Sequence, residues 1–165
     1  MALTKTQILD ALQAWINQRP GLEFGNYGDV ANYRSESRRI TRQKHDAEEL
    51  LRSVRWRDGI TAERLADAFR AYSGRLTLSE KDGEACLDYC TGQYWPTEYR
   101  AAACAVLSSA LWDYVRDECM PAPELVHNSE TGETFHRYKG LRAGDWLRTY
   151  FRKEYGARIA ARWFD

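Results

Sequence analysis

The stretch DVANYRSESRRITRQKHDAEELLRSVRWR, residues 29–57, contains no Gly or Pro and carries the clearest helical pattern in the chain. At about 100° per residue, its apolar side chains fall on one side of a helix. These are Tyr33, Ile40, Ala47, Leu50, Leu51 and Val54. The opposite side carries Arg34, Arg38, Arg42, His45 and Arg52. We therefore expect an amphipathic helix from about Asp29 to about Arg57, with one face buried and a basic face in solvent.

Capping signals predict two further helices around this one. Thr4 and Gln7 have the spacing of a capping box, and apolar residues follow them at helical spacing. These are Ile8, Leu12, Trp15 and Ile16. Thr61 can cap a second helix, since Ile60 and Leu65 are placed to form a hydrophobic staple across its first turn.

Two more helices are expected in the second half of the chain. Pro96 suits the first turn of a helix that continues through an apolar stretch to about Cys119. The last helix is expected to begin with Asp145 as its cap and to be kinked or divided at Gly156. Its buried side should hold Leu147, Tyr150, Phe151, Ile159 and Trp163.

Two stretches alternate as β-hairpins do. Residues 75–79 and 85–90 flank a polar turn, and residues 125–127 and 134–138 flank a turn that contains Gly132. The pattern predicts a mainly α (α+β) fold, a compact helical domain of about five helices with one or two short β-hairpins. With no linker-like tract in its 165 residues, the chain is expected to form a single domain over residues 1–165.

The charge is balanced in sum and uneven along the chain. The sequence has 24 basic and 24 acidic residues, which argues against a generic polyanion binder. Residues 34–57 nevertheless hold eight bases against four acids, and residues 137–162 hold eight against two. Residues 80–98 and 113–133 lean acidic. A chain with this pattern can bind an acidic partner through one face while it remains neutral overall.

The cysteines and the absence of an apolar run indicate a reducing compartment. No stretch resembles a signal peptide or a membrane span. The four cysteines are therefore expected to be free thiols rather than two disulfides. They are Cys86, Cys90, Cys104 and Cys119. We expect a cytoplasmic protein.

Patterns typical of catalysis or metal binding are weak. The gap between Cys86 and Cys90 is three residues, and His127 and His136 could face each other across the second hairpin. These residues are the candidates for a structural zinc site. The favoured interpretation is that the thiols are buried and the histidines lie on the surface. His45-Asp46 lacks the further ligands of a metal phosphohydrolase. No nucleophile elbow or phosphate-binding loop occurs, and no cofactor is implied. A small enzyme with an unrecognised site remains an alternative.

The basic residues are the strongest functional cue. The arginines at 34, 38 and 42 repeat every four residues, and guanidinium groups pair in a fork with phosphates or carboxylates. Candidate partner-binding residues are Arg34, Arg38, Arg39, Arg42 and Arg52, with Arg148, Arg152 and Lys153 in a second set. The alternative is a solvated face whose arginines pair with Glu36, Asp46, Glu48 and Glu49 or with the acidic middle of the chain.

Two aromatic residues in a turn are further candidates for binding a partner. Tyr94 and Trp95 precede the helix at Pro96 and could anchor a partner, because Tyr and Trp dominate binding hot spots. The alternative is that they plug the core at the start of that helix.

Two segments carry a resemblance. GLEFGNYGD at residues 21–29 with YRSE at 33–36, and DYCTGQYWPTEYR at 88–100, resemble small accessory proteins of bacterial phages and integrative mobile elements. The resemblance implies a bacterial cytosol, and it carries no catalytic residues over to this chain. It also implies an anti-defence role of the anti-CRISPR or anti-restriction type.

Together these observations predict a non-catalytic protein that binds a bacterial protein or nucleoprotein complex and no membrane. The alternative from a different class is a protein that binds DNA or RNA directly through the two basic segments.

Overall fold

Helices dominate the described part of the chain. The computed structural model describes residues 2–18, 30–72, 76–89 and 96–165, and of residues 30–33, 89 and 96–99 it describes only the backbone. The elements are α1 (Lys5–Asn17), α2 (Val30–Trp56), α3 (Ala62–Ala71), β1 (Leu76–Lys81), β2 (Glu84–Tyr89), α4 (Pro96–Tyr114), a π-helical turn (Val115–Cys119), β3 (Glu124–His127), β4 (Thr134–Arg137), α5 (Ala143–Tyr155) and α6 (Ala157–Trp163). The prediction of a mainly α (α+β) fold with short hairpins is confirmed.

The chain divides into two compact units. The first comprises Met1–Leu111 and the second Trp112–Asp165, so the boundary falls near the end of α4. The single domain expected from the sequence stays a prediction.

Helix α1 begins as its capping box predicts. The Thr4 side chain accepts from the Gln7 amide at 3.2 Å, and the Gln7 side chain accepts from the Thr4 amide at 2.9 Å. The Gln7 amide nitrogen Nε2 also donates to the Gly83 carbonyl at 2.9 Å, which joins α1 to the first hairpin. All four predicted apolar residues are buried, together with Leu9.

Helix α2 has nearly the bounds that the sequence predicts, and its predicted apolar face is buried from Ile40 on, whereas the Tyr33 side chain lies outside the described residues. Its buried apolar residues are Ile40, Ala47, Leu50, Leu51 and Val54. The same face also buries Gln43 and Asp46, which the apolar pattern missed. At the far end, Lys5 Nζ donates to the Arg57 carbonyl at 2.8 Å, so α1 holds the end of α2 in place. Partial burial lowers the pKa of Lys5, and the carboxylate of Asp58 acts in the opposite direction.

The first hairpin is longer than the sequence pattern suggested. β1 and β2 pair antiparallel from Leu76 opposite Tyr89 to Lys81 opposite Glu84. The turn is therefore only Asp82-Gly83, both in the left-handed region with φ of 54° and 78°, as a type I′ turn requires. Helix α3 follows its own prediction, since the Thr61 side chain accepts from the Arg64 amide.

A buried arginine joins three helices of the first unit. Arg100 on α4 is 5% exposed. Its Nε donates to the Ile16 carbonyl at 3.3 Å, and its Nη1 donates to the Ile40 carbonyl at 2.9 Å. In a continued α1 the Ile16 carbonyl would accept from residue 20, which is Pro20 and has no amide hydrogen. The guanidinium thus supplies a donor that the sequence of α1 removes.

The second hairpin corrects one expectation about its histidines. His127 lies opposite Thr134 and His136 lies opposite Leu125, so the two histidines are not directly paired across the strands, as the less favoured zinc alternative supposed. The turn sets this register, because Asn128 donates to the Glu133 carbonyl at 2.8 Å and accepts from the Gly132 amide at 2.8 Å. Gly132 lies in the turn with a φ of 73°, as predicted.

The sequence predicts Asp145 as the cap of the last helix, and this prediction is wrong. α5 begins at Ala143 with Arg142 at the cap position, and Asp145 lies in the first turn, where its carboxylate accepts from Arg148 Nη1 at 3.2 Å. The tight turn between Tyr138 and Leu141, closed by two backbone hydrogen bonds, starts the helix earlier. An acidic side chain in the first turn still favours the helix dipole.

Gly156 divides the C-terminal helix, as expected. With a φ of 83° it ends α5 and begins α6. Aromatic rings fill the core of this unit, since Phe151 stacks on Phe164 with centroids 3.8 Å apart and on Trp112 at 5.4 Å. Of the five predicted buried residues, Leu147, Phe151 and Ile159 are buried, and Tyr150 and Trp163 are half-buried.

We expect Arg100→Met to lower the free energy of unfolding by about 2–4 kcal/mol, because it leaves the Ile16 and Ile40 carbonyls buried without their charged donor. Arg70→Met is the control, since Arg70 is exposed and pairs only with Asp67 on the same helix, and it should cost about 0.5 kcal/mol or less. Urea unfolding followed by circular dichroism measures both. Equal losses in the two variants would contradict a structural role for Arg100.

The glycines offer a matched pair of substitutions. Gly83→Ala should destabilise the fold by about 1 kcal/mol, because the residue must keep its positive φ although nothing lies within 4 Å of the added Cβ. Gly144→Ala adds a Cβ 3.9 Å from Arg148 Nη1 in the helical first turn of α5, and should stabilise by up to about 1 kcal/mol. Thermal unfolding should therefore shift in opposite directions for the two variants.

Candidate functional site

One line of side chains runs along the face of α2 that points away from the core. At about 100° per residue, its members fall within an arc of about 80°, on the side opposite the buried residues. They are Arg34, Arg38, Arg42, His45, Glu49, Arg52 and Trp56. We call this line the α2 stripe. It spans about 33 Å of helix at a rise of 1.5 Å per residue.

The four arginines of the α2 stripe are exposed. Among the residues that the structure describes, none accepts a hydrogen bond from these four or forms an ion pair with them. Arg34, Arg38 and Arg42 stand four residues apart, so like charges are neighbours on the helix surface, an arrangement that costs a few tenths of a kcal/mol per pair. The stripe therefore presents uncompensated positive charge.

The carboxylates of α2 pair with other bases. Glu36 lies 3.9 Å from Arg39, Glu48 lies 3.8 Å from Lys44, and Glu49 lies 3.8 Å from His45. Asp46 is fully buried. The expectation that these acids neutralise the three spaced arginines is thus not met within the described residues. Arg39, a predicted binding residue, lies off the stripe and has a carboxylate partner.

Trp56 ends the α2 stripe and was not among the predicted site residues. Its side chain is 79% exposed, the most exposed large hydrophobic residue among those described. The backbone beneath it is held firmly, because Arg55 pairs with Asp10 at 2.7 Å and Lys5 binds the Arg57 carbonyl. The signal in the sequence was the four-residue step from Arg52 along the basic face.

A depression of about 270 Å³ lies beside the stripe, between α1 and α2. Its lining is largely polar, with Gln13 from α1 and Glu48, Arg52 and Arg55 from α2. Arg52 thus belongs both to this depression and to the stripe. The depression is a place where a group of a bound partner could enter next to the arginines.

The second predicted set differs from the first in its pairing. Arg148 pairs with Asp145 at 3.2 Å and Arg152 with Asp165 at 3.6 Å, both on the exposed surface of the second unit. Lys153 is exposed. Exposed pairs of this kind contribute little to stability, but they reduce the charge that is open to a partner. Tyr94 and Trp95 lie outside the described residues.

No group of three or more His, Cys, Asp or Glu side chains that could hold a metal occurs within the described ranges. Cys86, Cys104 and Cys119 form no disulfide, and Cys104 is fully buried as expected of a core cysteine. In the same ranges, no helix combines the length and the apolar character needed to cross a bilayer.

No protein-family model, no curated protein and no solved structure matches this chain. The α2 stripe is distinguished within the described residues by the exposure, spacing and pairing of its own side chains.

Replacing the three spaced arginines with glutamine should leave the fold intact and raise its stability slightly. Arg34→Gln, Arg38→Gln and Arg42→Gln together remove two like-charge neighbours from α2 and no described ion pair, so we expect the free energy of unfolding to rise by about 0.5 kcal/mol. Urea unfolding measures this. A loss of more than about 1 kcal/mol would mean that these arginines serve the fold rather than a partner.

Proposed function

We propose that this chain is a non-catalytic binding protein that docks the α2 stripe on the anionic surface of a bacterial nucleoprotein complex. The observation that supports the proposal most is the contrast in pairing on α2. The carboxylates of the helix pair with Arg39, Lys44 and His45, whereas the four stripe arginines have no described partner. Positive charge arranged in this way is available to an external anion.

The energetics of the stripe fit a binding role. Like charges at four-residue spacing weaken an isolated helix, and a phosphate or carboxylate surface would relieve that repulsion on binding. The buried face of α2 and the contacts from α1 hold the helix in place. Four arginines on one rigid helix lose less freedom on binding than the same side chains on a loop.

The biological setting that we propose is the bacterial cytosol, in a phage or mobile element. It rests on the resemblance of residues 21–36 and 88–100 to accessory proteins of such elements. In that setting the protein would inhibit a host defence complex, of the anti-CRISPR or anti-restriction type, by covering an anionic surface of that complex. Electrostatic contact of this kind requires no catalytic group.

Reversal of charge on the stripe should abolish the inhibition. The protein is expressed in bacterial hosts that carry an active CRISPR or restriction system, and the plating efficiency of a targeted phage is measured. The wild-type chain should raise plating, and the triple variant Arg34→Glu, Arg38→Glu and Arg42→Glu should return it to the level without the protein, because the docking charge is inverted.

The matched control is the triple variant Arg70→Glu, Lys81→Glu and Lys139→Glu, which changes the net charge equally at exposed positions that do not belong to the stripe. It should plate as the wild type does. Equal activity of the stripe variant and the wild type would exclude the stripe as the docking site. A wild-type chain without effect on any such host would exclude the anti-defence role.

A further inference from the structure

We infer that the ligand of the α2 stripe is a single strand of nucleic acid, with its phosphates on the four arginines and one base stacked on the Trp56 indole. The inference rests on the proposed function and names the component of the nucleoprotein complex that the stripe contacts. It is carried by the combination of regularly spaced, exposed guanidinium groups with an exposed aromatic ring on the same line.

The arginines suit a polyanion with evenly repeated charge. Arg34, Arg38 and Arg42 recur with a rise of about 6 Å along the helix. A nucleic-acid strand offers phosphates at regular intervals, and guanidinium groups bind them in a fork. The stripe holds four arginines against one carboxylate, Glu49, so it keeps a positive excess.

Trp56 adds an exposed aromatic ring, on which a base can stack, to the line of arginines. A tryptophan that is 79% exposed gains little from the folding of its own chain, because most of its surface stays in water. Every base has an aromatic face, and stacking on an indole is tolerant of sequence. Because the ends of α1 and α2 hold the backbone at Trp56, the ring is presented from a rigid position.

The ring favours a single strand over a duplex. In a duplex each base face is covered by its neighbours, and inserting a side chain costs several kcal/mol of unstacking. A single strand has base faces that a surface aromatic can reach without that cost. An acidic protein surface would also attract the arginines, but it offers no set of stacking partners that would use the exposed ring.

Binding can be measured by fluorescence anisotropy with labelled DNA and RNA oligonucleotides of about 16 nucleotides, within the range that single-strand-binding sites cover. With four phosphates neutralised, log K should fall against log salt with a slope of about −3, so affinity drops about fiftyfold from about 50 to about 200 mM salt. The triple variant Arg34→Gln, Arg38→Gln and Arg42→Gln should retain a slope near −0.7, from Arg52 alone.

The role of the ring is tested with two substitutions at one position. Trp56→Ala should weaken single-strand binding by about five- to a hundredfold without changing the salt slope, since stacking carries no charge. Trp56→Phe should keep most of the affinity and lose the quenching of tryptophan emission that the wild-type chain shows on binding. The control is Leu125→Ala, which truncates another exposed apolar residue, 69% exposed in β3, and should leave binding unchanged.

The outcomes separate this inference from the proposed function. If the wild-type chain binds no oligonucleotide at low salt, a single strand is not the ligand, and the plating experiment alone then decides whether the stripe docks on a protein surface. If the oligonucleotide binds with the expected slope and Trp56→Ala has no effect, the stacking part is wrong and the electrostatic part stands. Equal loss for a duplex and a single strand in Trp56→Ala would also overturn the stacking part.

Discussion

The guanidinium of Arg100 occupies a position on which the first unit depends. It is taken almost wholly out of water, which is costly for a charge unless hydrogen bonds replace the lost solvation. The carbonyls of Ile16 and Ile40 provide such bonds from α1 and α2. Because Ile40 lies on the buried face of α2, this contact also helps to fix which side of the helix points outward.

That orientation gives α2 two distinct faces, one in the core and one in solvent. The buried face of α2 carries the apolar residues of the core, together with Gln43 and Asp46, and the stripe lies on the opposite side in solvent. Substitutions on the stripe therefore leave the buried side chains of the core in place. The helix end at Trp56 is held by α1, so the exposed ring and the arginines belong to one rigid element.

Features that depend on neighbours in sequence were predictable. The N-caps Thr4 and Thr61, the length of α2, its buried face and the glycine break at 156 all follow from residues within a few positions of one another. The errors came where a turn sets the register or the start of an element. Asp145 looked like a cap because the earlier turn at Tyr138 to Leu141 was not recognised, and the two histidines were paired without knowledge of the turn at Asn128.

The candidate site was predicted in part for the same reason. The sequence by itself determined that α2 is amphipathic and that Arg34, Arg38, Arg42 and Arg52 share its polar face, since helical periodicity is a local property. Only the tertiary structure decided that Arg55 pairs with Asp10, that Lys5 binds the end of α2, and that Arg100 is buried between two helices. Those outcomes depend on contacts between residues distant in sequence, which no local pattern encodes.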